Sequence, residues 1–317
     1  MISFEIQADL HPKKLTGIAI KKTQGVLFAT DFLPERSFPE WSGYYKTYGD
    51  VAFGQLAPEV SEGGRDKLLN TSYAESSFTM KEYRIGGRLS ERAINFLLSK
   101  NSKTAVSAGR SLVTDEVELL ADTLALREEK TIIDAILAVA PAGNLVTAAA
   151  VWNSASSTPL TNLRTACKNI LTTQHTQADT LIISPTQELN LMNHADIKDI
   201  YKYSGNTSNL TAKIAAGRSR AIPNIAGLDV YVSDAVRTAE TAAGILSGAT
   251  ETGLVLDDYA IVCKRGTSLG TTFVAEPLTV RRWAEEETRS VRVQLFKTFI
   301  PKVFRANQVA TVISIGA

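Results

Sequence analysis

One run limits what this chain can fold into: RSLVTDEVELLADTLALREEKTIIDAILAVA, residues 110–140. Val113, Val117, Leu120, Leu124, Ile132, Ile136 and Val139 fall on one helical face. Leu112, Leu119, Leu126 and Ile133 repeat every seven residues on an adjacent face. Thr114, Asp115 and Glu116 suit a first turn after a break at Ala108-Gly109, and Pro141 and Gly143 stop the run. At about 1.5 Å per residue this is a rod roughly 45 Å long. Its apolar stripe is too wide for a strict coiled-coil seam, so the rod reads as the backbone of a domain.

The segments before it have little core of their own. Residues 1–58 read as irregular, because Pro12, Pro34, Pro39 and Pro58 deny long helices. Their aromatics, among them Phe32, Phe38, Trp41, Tyr44 and Tyr48, follow no period and must find burial against the rest of the chain or a neighbouring subunit. Residues 59–88 read as two extended arms about a polar tip, a projecting hairpin. Phe78, Met80, Tyr83 and Ile85 roughly alternate with polar residues, and Gly63-Gly64 and Gly86-Gly87 act as breakers. Ser90 is placed to cap a short helix, ERAINFLL.

After residue 150 the pattern turns α/β. Thr158 and Pro159 open a helix, ADTLIIS is a buried strand, PTQELNLMN and HADIKDIYKY are short helices, and GLDVYVSDAV is another strand. TGLVLDDYAIVCKR is a strand pair or one long strand, and the stretch from Thr271 to Ile315 is almost all strand-like. The whole is α+β with one dominant helix.

Composition narrows the function. A formal charge of +1 argues against a dedicated nucleic-acid binder. Cys167 and Cys263 are too few for a disulfide framework or a cysteine zinc site, which fits a reducing cytoplasmic origin. No secretion signal and no membrane-spanning run is legible.

The chemical motifs lead nowhere. GTSLG, residues 266–270, spells the nucleophile elbow of a serine hydrolase, but TTFVAE after it forms strand rather than helix. His11, His175 and His194 all precede Ser268, against the usual order, so a glycine-rich turn is expected and a hydrolase at Ser268 is the remote alternative. The histidines lack metal-ligand spacing. Asp257-Asp258 reads as a turn. Glu285, Glu286 and Glu287 with Arg281, Arg282 and Arg289 read as a solvated charge cluster or an inter-subunit network. No catalytic residue, metal ligand or cofactor site is expected.

The middle of the chain resembles tailed-bacteriophage major capsid proteins of the HK97-like fold. The likeness rests on the order of Trp152, Pro159, the Leu181–Ile183 strand, His194-Ala195-Asp196-Ile197-Lys198, Tyr201 and the Asp258–Val262 strand. Ala195 departs from the proline often found there. The resemblance implies an N-terminal arm (1–58), an extended E-loop hairpin (59–89) and a P domain with a spine helix (90–150, the helix about 110–140). It further implies an α/β A domain over most of 151–265, with the strands of 266–317 returning to the P domain.

The function implied is that of a virion subunit, assembled in the bacterial host cytoplasm, whose copies form pentamers and hexamers around double-stranded DNA held by weak non-specific contact. A scaffolding protein, a portal and a decoration protein are implied partners; no cofactor and no membrane is. The alternative is an encapsulin-like nanocompartment shell. Candidate inter-subunit contacts are Trp41, Tyr44, Lys67, Tyr73, Lys81, Tyr83, Arg84, Arg281, Arg282, Glu285 and Glu286. Lys67 and Lys81 lie in the hairpin, with no basis for assigning either to a covalent crosslink.

Overall fold

The computed structural model describes residues 12–23, 32–48, 73–90, 104–203, 224–233, 256–285, 287 and 289–316. In chain order the elements begin with α1 (Pro12–Thr23), β1 (Glu35–Ser37), β2 (Ser42–Tyr48), β3 (Tyr73–Thr79), β4 (Lys81–Ser90) and α2 (Thr104–Val139). There follow β5 (Leu145–Thr147), α3 (Pro159–Gln174), β6 (Thr180–Ile183), α4 (Pro185–Asn193), α5 (Ala195–Tyr203), β7 (Asn224–Ile225) and β8 (Leu228–Val232). The last strands are β9 (Tyr259–Cys263), β10 (Gly270–Glu285), β11 (Ser290–Val303) and β12 (Val309–Ile313).

The rod is longer than its periodicity indicated. Helix α2 has 36 residues, about 54 Å at the standard rise. It runs through Ala108-Gly109, so Thr114, Asp115 and Glu116 lie well inside it rather than in its first turn. One Ala-Gly pair lowers helix propensity by about 1 kcal/mol, too little to end a helix that packing holds in place.

A single helix supplies two cores. Its first half places Val113, Val117, Leu120, Ala121 and Leu124 against Leu15 and Ala19 of α1 and against Val280, Val293 and Leu295 of the first sheet. Its second half places Ile132, Ile133 and Ile136 against Phe32, Leu33, Ile182, Ile261 and Val309. Each buried Val, Leu, Ile or Phe side chain among these contributes roughly 1.5–3 kcal/mol. The adjacent heptad row behaves differently: Ile133 is buried, but Leu126 is exposed and Leu119 is 61% exposed.

The first sheet has the order β1-β10-β11-β4. Strands β10, β11 and β4 are antiparallel neighbours, and β1 joins the edge of β10 in parallel. Residues 81–90 therefore belong to this sheet rather than to a projecting hairpin, and Ser90 ends β4 opposite Ser290. The expected helix at 91–98 lies outside the described residues. Gly86-Gly87, expected as breakers, sit inside β4 because the backbone is crowded there: a Cβ on Gly87 would strike the Glu116 side chain of α2.

The second sheet has six strands in the order β5-β12-β9-β6-β8-β7. Helices α3, α4 and α5 cover one face around Trp152, Leu163, Ile170 and Leu191. The other face meets the C-terminal half of α2. Pro159 starts α3, His175 ends it in the left-handed region (φ 51), and the Ser184 hydroxyl caps α4 by accepting from the Gln187 amide at 3.2 Å. Strand β12 lies between β5 and β9, so the C-terminal strands do not share one sheet: β10 and β11 join the first and β12 the second.

Two N-terminal expectations need correction. Residues 1–58 are not irregular throughout: α1 packs on α2, and Phe32 and Leu33 are fully buried. Pro12 was read as a breaker, yet it occupies the first helical position, where proline's missing N–H is no loss. The expected hairpin is also framed differently. Strand β3 pairs with β2, from Ser42↔Thr79 to Tyr48↔Tyr73. Its arms are thus 42–48 and 73–79, and residues 49–72 between them lie outside the described residues.

Candidate functional site

The chemical motifs resolve into structure. GTSLG forms the turn between β9 and β10, with Gly266 at φ 110, and a strand follows it. His194 is buried; its Nε2 lies 3.1 Å from the Ser157 carbonyl oxygen, and its own carbonyl accepts from the Lys198 amide at 3.0 Å to open α5. Asp257 and Asp258 sit in the turn before β9. Among the described residues, no three His, Cys, Asp or Glu side chains group to hold a metal ion, and no helix is long and apolar enough to cross a membrane.

What the surface offers is contact. The ribbon is rooted firmly and exposed beyond its root. Phe78 of β3 contacts Phe38 at 5.5 Å and Tyr45 at 6.3 Å, and Tyr45 meets Phe304 at 5.8 Å. The Met80 amide donates to the Trp41 carbonyl at 2.8 Å. A Cβ on Gly43 would come within 2.9 Å of the Phe38 ring, so that glycine lets the ribbon close on its root. On the other face of the ribbon Tyr44 is 78% exposed, and Trp41, immediately before β2, is 49% exposed. Exposed aromatics of this kind are available to anchor contact with another protein surface.

A second surface is the face of the first sheet turned away from α2. Directly paired residues share a face, so Arg281, Trp283 and Glu285 stand beside Gln294, Arg292 and Ser290, and beside Gly86, Arg88 and Ser90. Arg281 lies over the Phe296 ring at 4.3 Å and Arg292 over Trp283 at 5.7 Å. Glu285 accepts from Arg292 at 2.9 Å and has Arg88 at 4.0 Å. Arg84 is paired with Glu82, whose carboxyl this hydrogen bond lowers. A plane of arginines stacked on aromatics and bridged by carboxylates suits polar protein contact.

The other candidates fall variously. Lys81 is exposed at the start of β4. The backbone of Tyr73 pairs with Tyr48. Tyr83 is occupied within the chain, against Phe299 at 4.8 Å and under Arg127 at 5.1 Å. Arg282 points toward the helix side, half-buried, and burial lowers its pKa. Glu285 reaches Arg292 and Arg88 rather than the Arg281-Arg282 pair it was grouped with. Lys67 and Glu286 lie outside the described residues.

One cluster escaped the sequence reading. Lys297 of β11, its side chain only 8% exposed, donates to Glu128 of α2 and to Glu35 of β1, both at 2.6 Å. The signal was a lone lysine inside an otherwise apolar strand, LFKTFI, and two adjacent glutamates on the helix face.

Residues 102–312 match the phage capsid protein family. No curated protein sequence matches the chain. Among solved structures it is similar to a phage-related protein from Bordetella bronchiseptica RB50, at 14% identity and a TM-score of 0.62, covering 96% of this chain and 97% of that one. It is similar to the mature capsid of bacteriophage PhiM1, at 14% identity and TM-score 0.59, covering 90% and 86%. It is also similar to a virus-like particle from Pyrococcus furiosus, at 12% identity and TM-score 0.56, covering 95% and 98%. At such identities these likenesses establish the fold, which is HK97-like.

Proposed function

The chain belongs to the phage capsid protein family, and from that premise we propose that its copies close into pentamers and hexamers of a tailed-phage head around double-stranded DNA. It is a shell-forming structural subunit, a major capsid protein with the HK97-like fold. In the finer reading, α2 is the spine helix of a P domain, the six-stranded sheet with α3–α5 is the core of an A domain, and the β2–β3 ribbon is the E-loop. The arms of that E-loop are 42–48 and 73–79, where 59–89 was expected.

One observation carries this reading: Tyr44 on the ribbon and Trp41 at its entrance stand in solvent while the ribbon's root is fastened by Phe78. Such a surface is completed by another copy, through heterologous contacts that close as rings. Lys81 and the Arg281–Glu285 sheet face are the further contacts we assign to neighbours. Near-zero net charge suits a wall that encloses DNA without gripping it. A scaffolding protein, a portal and a decoration protein are the partners such a shell would take, with assembly in the host cytoplasm.

Negative-stain electron microscopy of the purified protein tests the proposal. Hollow particles, or rings of five and six subunits, are expected. A protein that stays monomeric at high concentration, with and without a co-expressed scaffold, overturns it.

A further inference from the structure

Segment 32–38 leads from the body into the ribbon along the edge of the first sheet. Strand β1 pairs only from Glu35↔Thr272 to Ser37↔Val274 at the sheet edge. The flanking bonds are Gly266 N–H to the Phe32 carbonyl at 3.3 Å, the Thr272 hydroxyl to the Leu33 carbonyl at 3.1 Å, Thr272 N–H to the Pro34 carbonyl at 3.1 Å and Phe38 N–H to the Val274 carbonyl at 2.9 Å. Beneath it lies the charge cluster. Lys297 reaches from β11 to Glu35, 43% exposed at its side chain, and to Glu128, 3% exposed. Three elements that are far apart in sequence thus meet at one ammonium group.

The surroundings define the charge balance. From α2, Arg127 lies over the Tyr83 ring, while Glu129 accepts from the Ser233 hydroxyl at 2.7 Å. From β4 comes Tyr83, and from β11 Phe299, whose ring centre is 5.6 Å from Lys297 Nζ. Glu276 accepts from Thr298, the next residue along β11, whose side chain takes the opposite face. Lys297 is therefore the cation that touches both carboxylates. With both ionised, the trio carries one negative charge in excess, held in a place that water reaches only at Glu35. Such a site favours taking up a proton.

We propose that the Lys297–Glu128–Glu35 trio is a proton-tightened clasp on segment 32–38, gripping the root of the ribbon most firmly when Glu128 is protonated. Burial pushes the Glu128 carboxyl above its ordinary range; Lys297 opposes that push and Glu35 adds to it. A carboxyl raised on folding binds its proton better in the folded state. Its contribution to the grip is full at low pH and is lost as the pH rises through the folded value. The root of the ribbon is then looser in alkaline than in mildly acidic solution.

Amide hydrogen exchange on the full-length protein, corrected for intrinsic rates, tests this from about pH 5.5 to about pH 8.5. Protection of residues 32–38 should fall as the pH rises across that range, by up to about tenfold per pH unit where Glu128 gives up its proton, while Leu181–Ile183 in the second sheet stays constant. Glu128→Gln should hold the protected level at every pH. Glu35→Gln, at a half-exposed site that tolerates substitution, should flatten the profile as well, since Glu128 then has Lys297 to itself. A flat wild-type profile overturns the proposal, and so does an unchanged slope in both variants. The readout is local, so the clasp stands or falls independently of whether the copies form a shell.

Discussion

Phe78 lies flat against Phe273, with ring centroids 4.6 Å apart and planes 7° from parallel. One ring belongs to the ribbon and the other to the central strand β10, so this stack is where the ribbon is fastened to the body. Phe38 and Met80 close around it. The ribbon's own two strands could not hold a fixed direction, since an isolated hairpin is marginal in water.

Phe78→Ala should therefore act on the ribbon more than on the cores. Truncating a buried phenylalanine costs about 3–5 kcal/mol where packing cannot relax. Here the expected loss is near the lower end, because the cluster is small and lies at the edge of the body. The check is limited proteolysis alongside denaturant unfolding: cleavage within 42–79 should rise before global stability falls.

Trp41 and Tyr44 give the opposite expectation. They are exposed, so Trp41→Ser with Tyr44→Ser should leave the stability of the unassembled chain within about 0.5 kcal/mol. Aromatic anchors are the residues whose truncation most weakens interfaces, by about 2 kcal/mol or more. Particle yield by size-exclusion chromatography and microscopy should fall sharply. Normal particles from this double variant would remove the ribbon from the assembly contacts.

The sequence displayed the rod, because its burial repeats with the helical period, and it displayed α3, β6, α4 and α5 because proline, serine and apolar runs bound them locally. Non-local pairing was hidden. Nothing in SGYYKTY announces that it pairs with YAESSFT across the intervening residues, so the ribbon was framed one arm too late. Pro12 illustrates a second limit: a proline's effect depends on which helical position it occupies, and sequence alone leaves that position open. The Lys297 clasp joins that lysine to residues 169 and 262 positions away, visible beforehand only as a polar residue out of place. Leu119 and Leu126 show the converse, a periodic apolar row that the fold leaves in solvent.

Gly87 tests how closely the rod sits on the first sheet. A side chain there meets the Glu116 carboxylate and its stem rather than backbone, so the neighbour can swing away. Gly87→Ala should cost about 1 kcal/mol, at the low end for overpacking. Glu116→Ala should recover most of that loss. Denaturant unfolding of the two single variants and the double variant reads the coupling; additive losses would mean that the helix and strand are further apart than the structure shows.

Cys263 supplies a pH test of the second core. It lies fully buried between β12 and β6, and burial pushes its thiol up to about 12, with nearby Asp179 adding to the shift. A free thiol ionises near pH 8.5, so the unfolded chain loses this proton first as the pH rises. The group's contribution is complete below about pH 8.5 and declines from there toward pH 12, by about 1.4 kcal/mol per unit. At about pH 10 the cost should approach 2 kcal/mol, while in Cys263→Ala the alkaline decline should be shallower by one proton. Unfolding curves between about pH 8 and about pH 10 measure the difference in slope. In native protein an aromatic disulfide reagent should reach Cys167, which is half-buried, well before Cys263. Equal rates at the two sites would show that the six-stranded sheet opens far more readily than its packing against α2 and α3 allows.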